Sequence, residues 1–304
     1  MHHLSRKVQP DGSPASDTLG KNREKTSLRR FVERFSKQRG ALVALIGLIL
    51  LGLIALIGPS IYSVDPTAQS LLERNTPPSV AHPFGTDDLG RDIFSRMISG
   101  SFITLSAPFV AVTLGMLIGV PTALIAGYFE GWVDWFATRF ADALFAIPSI
   151  MLAMAIVAVI GPSTFVVMIG VGVLMAPRIF RVARAEVLYL KRASFVEASR
   201  TIGSGPFRIL FSSILPNIMP TLIVQGTVLL GLGVLVEAAL SFFGLGVQPP
   251  DASWGVLLRR SFDNLNVALF QSIPPGVAIT LLVLVFQTIG DGLRSSIGRE
   301  SREG

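Results

Sequence analysis

The chain has no cysteine, only three histidines, and few charges: Asp, Glu, Lys and Arg make up 15% of its 304 residues. Without cysteine there is neither a disulfide framework nor a thiolate metal site. The histidines are His2, His3 and His82, so zinc sets and Ser–His or Cys–His catalytic sets lack their parts. A hydrolase working inside a membrane needs a histidine at depth, and none of the three lies in an apolar run. No G-x-x-x-x-G-K-[ST] phosphate loop occurs, so the chain does not cradle ATP itself. The expectation is a non-catalytic protein without a cofactor of its own. Soluble domains carry about a quarter charged residues. The deficit here, beside 50% hydrophobic residues, points to an all-α polytopic membrane protein. No secretory signal pattern is evident, because the first forty residues are polar and no cleavage site follows a short apolar run.

Six apolar stretches can be read along the chain. Ala41–Tyr62 is almost free of polar side chains and long enough for a ~30 Å hydrocarbon core. Phe102–Tyr128 carries Gly115-x-x-x-Gly119, a spacing that lets helices approach closely. A third span runs from Trp135 to about Ile160, where Pro148 either kinks the helix or joins an interfacial helix to the span. On its first turns Arg139 and Asp142 either pair with each other or face the bundle. Gly161-Pro162-Ser163 makes a turn. The fourth span, Thr164–Tyr189, has a basic inner end at Arg178, Arg181 and Arg184. Pro216–Leu240 and Gln271–Ile289 complete the set.

Between the spans, Ser63–Ser101 and Ser241–Phe270 are rich in turn residues and read as outer loops. Lys and Arg concentrate before the first span, around residues 178–208, and after the sixth. The net charge of +6 therefore reads as positive-inside bias rather than nucleic-acid affinity, with both termini cytoplasmic. Residues 1–40 form the N-terminal tail. Met1–Thr26 has a disordered composition, and Ser27–Gly40 is either an amphipathic interfacial helix with Phe31, Val32 and Phe35 on one face or a plain basic flank. Residues 41–291 hold the six spans, and 292–304 form the C-terminal tail.

The longest inner connection, residues 193–215, reads as two short helices broken at glycine. Ser194 and Glu197 have the spacing of a capping box. Gly203 can end the first helix in the left-handed conformation, and Gly205-Pro206 can start the second. In the outer loop, Asp87, Asp88, Arg91 and Asp92 fall in a compact run between Gly85 and Gly90, suited to charge-assisted hydrogen bonds at tight turns. Glu237, toward the outer end of the fifth span, either touches a translocation path or makes a structural hydrogen bond.

The loop resembles the EAA motif of ABC-importer transmembrane subunits: Glu197, Ala198 and Gly203, then Leu215-Pro216-Asn217. Ser199 stands where that family usually has a second alanine, and Ser213 where relatives often have histidine. The outer segment His82–Asp92, with Gly85, Thr86, Asp87, Gly90, Arg91 and Asp92, followed by Ser95-Arg96, resembles the corresponding stretch of the dipeptide, oligopeptide and nickel permeases. So do Leu240–Pro250 with Ser253-Trp254-Gly255, and Gly290–Arg294, although the Asp-Pro often found shortly after is absent. The resemblance extends over about residues 31–294, and its pattern is that of the second of two homologous permeases.

The resemblance implies an importer subunit in the bacterial plasma (inner) membrane. It would pair with a sister permease, two ATP-binding subunits that hold ATP and Mg, and an extracytoplasmic substrate-binding protein. Glu197–Gly203 would be the coupling helix. The outer motif and Trp254 would either receive the binding protein or form a lid over the spans. Peptides are the favoured cargo, with nickel chelates or other small solutes as the alternative. A stand-alone secondary transporter would need paired intramembrane ionisable groups or inverted repeats, and the sequence offers mainly Glu237.

Overall fold

The computed structural model describes residues 33–161 and 163–297. The expected disordered tail, most of the amphipathic segment, Pro162 and the last residues lie outside these. The described chain is all-α. Its helices are α1 (Arg39–Ile61), α2 (Ile93–Phe129), α3 (Gly131–Ala146), α4 (Ser149–Ile160), α5 (Thr164–Leu190), α6 (Ser194–Thr201), α7 (Leu215–Phe242), α8 (Trp254–Asp263) and α9 (Ile273–Ile297).

Five helical segments are long and apolar enough to cross a membrane, and α3 with α4 makes a sixth if the bent pair is one span. α2 and α5 form the densest packing pair, and small residues explain why. A Cβ on Gly119 would lie 2.7 Å from the Ala176 carbonyl oxygen, and one on Gly115 would lie 3.1 Å from that of Gly172. The Gly115–Gly119 spacing thus brings the second and fourth spans together. Contacts advance in step along both helices, from Gly115 beside Gly172 to Gly127 beside Arg184 and Val187, so α2 and α5 run parallel. α7 is antiparallel to α2, with Gly226 against Met116 and Gly233 against Pro108. α9 is antiparallel to α7, and Gln38 ties the start of α1 to the end of α9 through Gly292 O (3.1 Å) and Ser296 Oγ (2.9 Å).

The bundle therefore has two distinct ends. One holds the start of α1, the ends of α2, α5 and α9, and the α6 segment. The other holds the end of α1, the start of α2, α8 and the polar loop before α2.

The break expected at Pro148 is there: α3 and α4 meet at 91°. Three expectations change. α2 starts nine residues early because the Asp92 side chain accepts from the Ser95 amide and caps it. The loop after α7 contains α8, capped by Ser253 on the Val256 amide. Finally, Pro216 does not open a new helix. The turn Pro206–Arg208 continues through a π-helical stretch, Ile209–Ile214, into α7.

Candidate functional site

α6 is short, and its surroundings decide its placement. Val196 is its one fully buried side chain, sharing a core with Ile209, Leu210 and Ile214 of the π-helical stretch. The Arg200 guanidinium lies 5.2 Å from the centroid of the Tyr128 ring, and the Lys191 ammonium 5.6 Å from it. Lys191 also donates to Tyr128 O and, at 2.9 Å, to Glu130 Oε1. Hydrogen bonding from Lys191, with its charge, holds the exposed Glu130 carboxyl below the ordinary carboxylate range. These contacts fasten α6 to the ends of α2 and α5.

The capping box does not form. Ala193 is the N-cap, Ser194 is already helical, and the Glu197 amide donates to Ala193 O at 3.2 Å. The expected box is out of register by one residue, so Ser194 cannot reach the orphan amide. The helix end follows the sequence closely. Ser204 N donates to Ser199 O (3.0 Å) and Gly203 N to Arg200 O (2.9 Å), a Schellman closure with Gly203 at φ +80°. Nothing lies within 4 Å of a Cβ built on Gly203, so glycine is required there by conformation and not by space.

Glu197 and Ala198 face outward and Ser199 is half-buried. Leu215, Pro216 and Asn217 occupy the first turn of α7, where Asn217 Nδ2 donates to Ser213 O at 2.6 Å. Around α6, the apolar side chains of Phe195, Ile202, Phe207 and Phe211 are exposed. Sequence reasoning passed over these four; their occurrence in a polar connection between two apolar spans was the available signal.

At the opposite end, the acidic and basic run is turned inward. Asp87 accepts from the Leu89 amide (2.9 Å), the Arg91 amide (3.0 Å) and Arg91 Nε (2.8 Å). Asp92 Oδ1 lies 3.1 Å from His82 Nδ1. Arg96 is 1% exposed and donates to Pro66 O at 3.1 Å. Gln271 bridges Thr86 O and Asn75 Oδ1, both at 2.8 Å. Gly90 is held at φ +72°, where a Cβ would sit 1.8 Å from Ser70 O. Trp254 donates from its amide to Thr104 Oγ1 and from Nε1 to Met97 O, both at 3.0 Å. Thr86, Asp87, Arg91, Asp92 and Trp254 are all buried, so these side chains build the polar cap from within. Arg96, noted in the sequence only as part of the permease-like motif, belongs to the same network, as does Gln271, which was not singled out.

Glu237 is 3% exposed; its Oε1 accepts from Ser241 Oγ at 2.8 Å, and its Oε2 has no hydrogen-bond partner among the described residues. Asp142 does both things open to it, lying 3.7 Å from Arg139 and 2.7 Å from Arg181. Arg184 pairs with Asp134. Arg178 lies at the centre of the helical segment Val166–Leu190. No group of three or more His, Asp or Glu that could hold a metal occurs among the described residues.

The described residues thus form a membrane bundle with a polar helix at one end and a folded polar cap at the other. Residues 119–302 match the family described as binding-protein-dependent transport system inner membrane component. Residues 26–78 match the N-terminal TM domain of oligopeptide transport permease C. The chain belongs to this family of ABC-importer permeases and is a transmembrane subunit of a multi-subunit importer, not an enzyme. It is 39% identical to the glutathione transport system permease protein GsiD of Pectobacterium atrosepticum, over 90% of this chain and 91% of that one. It is 37% identical to the dipeptide transport system permease protein DppC of Alkalihalophilus pseudofirmus, over 95% and 94% of the two. In fold it is similar to a chain of the MetNI methionine ABC transporter in an inward-facing conformation, with TM-score 0.56 and 21% identity, covering 67% of this chain and 97% of that one.

Proposed function

We propose that this subunit lines half of the pathway of an importer of short peptides and that α6 is the element an ATP-hydrolysing partner moves. The observation carrying this reading is α6 itself. A polar helix with Glu197 and Ala198 outward, ringed by exposed Phe195, Ile202, Phe207 and Phe211, has an apolar surface that association would bury. Its attachments through Val196 and Arg200 connect it to the ends of α2, α5 and α7. A push on α6 therefore reaches three spans as a rigid-body displacement.

The number of crossings follows from direction. Because α2 and α5 are parallel, the chain between them must return through the layer, and α3 with α4 is the segment available to do so. This supports six crossings within residues 41–291, with the start of α1 and the end of α9 at the α6 end, and the distribution of Lys and Arg favours the cytoplasm of a bacterial inner membrane for that end. The tails are residues 1–40 and 292–304, and the coupling segment is 193–215. Exposed Trp132 and Trp135 at the start of α3 suit a lipid interface at this end.

The outer cap faces the substrate-binding protein. Its motif residues Gly85, Thr86, Asp87, Gly90, Arg91 and Asp92, with Trp254, shape that surface rather than touch the partner. Glu237, enclosed beside Ser241 and Ser253, reaches the pathway only when α7 and α8 separate. Peptide cargo is supported by relatives whose names specify glutathione and dipeptide transport. In proteoliposomes holding the whole complex, Glu197→Ala should retain assembly while lowering peptide uptake per ATP hydrolysed. Unchanged coupling would refute the role of α6.

A further inference from the structure

Three arginines descend α5 at intervals of three residues: Arg178, Arg181 and Arg184. α3 supplies two carboxylates to them, Asp142 to Arg181 and Asp134 to Arg184. One cation is left over. Among the described residues Arg178 has no hydrogen bond or ion pair, and it is exposed. It is the middle residue of the apolar helical segment Val166–Leu190, six residues, about 9 Å along the helix, from Arg184 and its partner Asp134. An unpaired cation within an apolar span is costly against lipid, so it faces water, a ligand or another subunit.

Space for water or a ligand adjoins it. A cavity of about 360 Å³ opens between the α3–α4 break, α5 and α7, with Phe145, Pro148, Val171, Met175, Leu232 and Arg178 among its lining residues. Apart from the guanidinium the walls named here are hydrocarbon. Pro177, at the same level, has no N–H, so the Val173 carbonyl loses its α-helical donor beside the site.

We propose that Arg178 receives the cargo's C-terminal carboxylate within the span, while the apolar walls accept the adjoining side chain. This rests on the peptide-importer reading above. The planar fork of guanidinium suits a carboxylate, and the volume suits one terminal residue of a short peptide rather than a whole protein segment. Arg181 and Arg184 do not compete, because their aspartates already hold them. A single ion pair also leaves the cargo able to depart, as a pathway requires.

The test uses the complete complex in proteoliposomes, with the same binding protein throughout, and measures uptake of a labelled alanine tripeptide and of its C-terminal amide. Upstream selection by the binding protein is identical in all samples, so the change in acid-to-amide ratio between variants reports on the permease. Arg178→Gln should lower that ratio roughly tenfold, the value of losing one charge-assisted hydrogen bond, and Arg178→Lys should keep most of it. An unchanged ratio in Arg178→Gln overturns the proposal. So does loss of the sister permease from purified Arg178→Gln complexes, which would assign the side chain to a subunit interface. Failure of the unmodified complex to take up either compound would instead reject peptide cargo itself.

Discussion

Trp254 Nε1 donates to Met97 O across 3.0 Å, joining the first turn of α8 to the second turn of α2. Trp254 is 3% exposed and packs in the same core as Met97, Leu105 and Phe286. Replacing it with phenylalanine keeps much of the packing and leaves Met97 O its α-helical donor, so the loss is that of one net hydrogen bond, about 0.5–1.5 kcal/mol. A thermal-unfolding midpoint several degrees lower in detergent is expected for Trp254→Phe, with Trp254→Ala lower still.

The polar cap before α2 depends on Asp87 and Arg91, each about 5% exposed at the side chain and 2.6 Å apart. Removing one partner strands a buried charge, which costs about 3–5 kcal/mol. Asp87→Ala and Arg91→Ala should each be strongly destabilising. The double variant should lose clearly less than the two losses added, and a double-mutant cycle on unfolding midpoints measures the difference.

Gly203 offers a contrast, since a Cβ there meets nothing within 4 Å but φ is +80°. Gly203→Ala should cost about 1 kcal/mol through backbone strain and shift the start of the following turn. The complex should still assemble, with transported peptide per ATP falling more than the ATPase rate. Equal falls in both would show a folding defect instead.

The Glu130–Lys191 pair carries a pH signature. Lys191 depresses the Glu130 carboxyl in the folded protein, so the pair's stabilisation is present above the ordinary glutamate value, about 4.3. It is lost as pH falls through the lower folded value. The difference in unfolding midpoint between the unmodified protein and Glu130→Gln should therefore be present at pH 7 and vanish in more acid solution.

Much of the bundle was legible because apolar length and flanking charge are local properties. α1, α5 and α7 fall within three residues of their expected bounds, and Gly203 ends its helix as its position suggests. What failed needed tertiary information. Asp92 and Ser95 are polar, so the start of α2 read as loop until their mutual cap and burial appeared. α8 is ten residues of mixed character between turn-rich segments, held by its Ser253 cap and by packing against α7, α9 and α2. Arg178, Arg181 and Arg184 look equivalent in sequence. Their separation into one unpaired and two paired cations depends on where α3 stops and bends.

The absence of native cysteine allows one thiol to be placed on α6 as Ser199→Cys. A membrane-impermeant maleimide should label it in inside-out vesicles stripped of the ATPase, fail to label it in intact cells, and lose access when the ATPase is restored. Labelling from outside intact cells, or labelling indifferent to the ATPase, would contradict α6 as the cytoplasmic point of coupling.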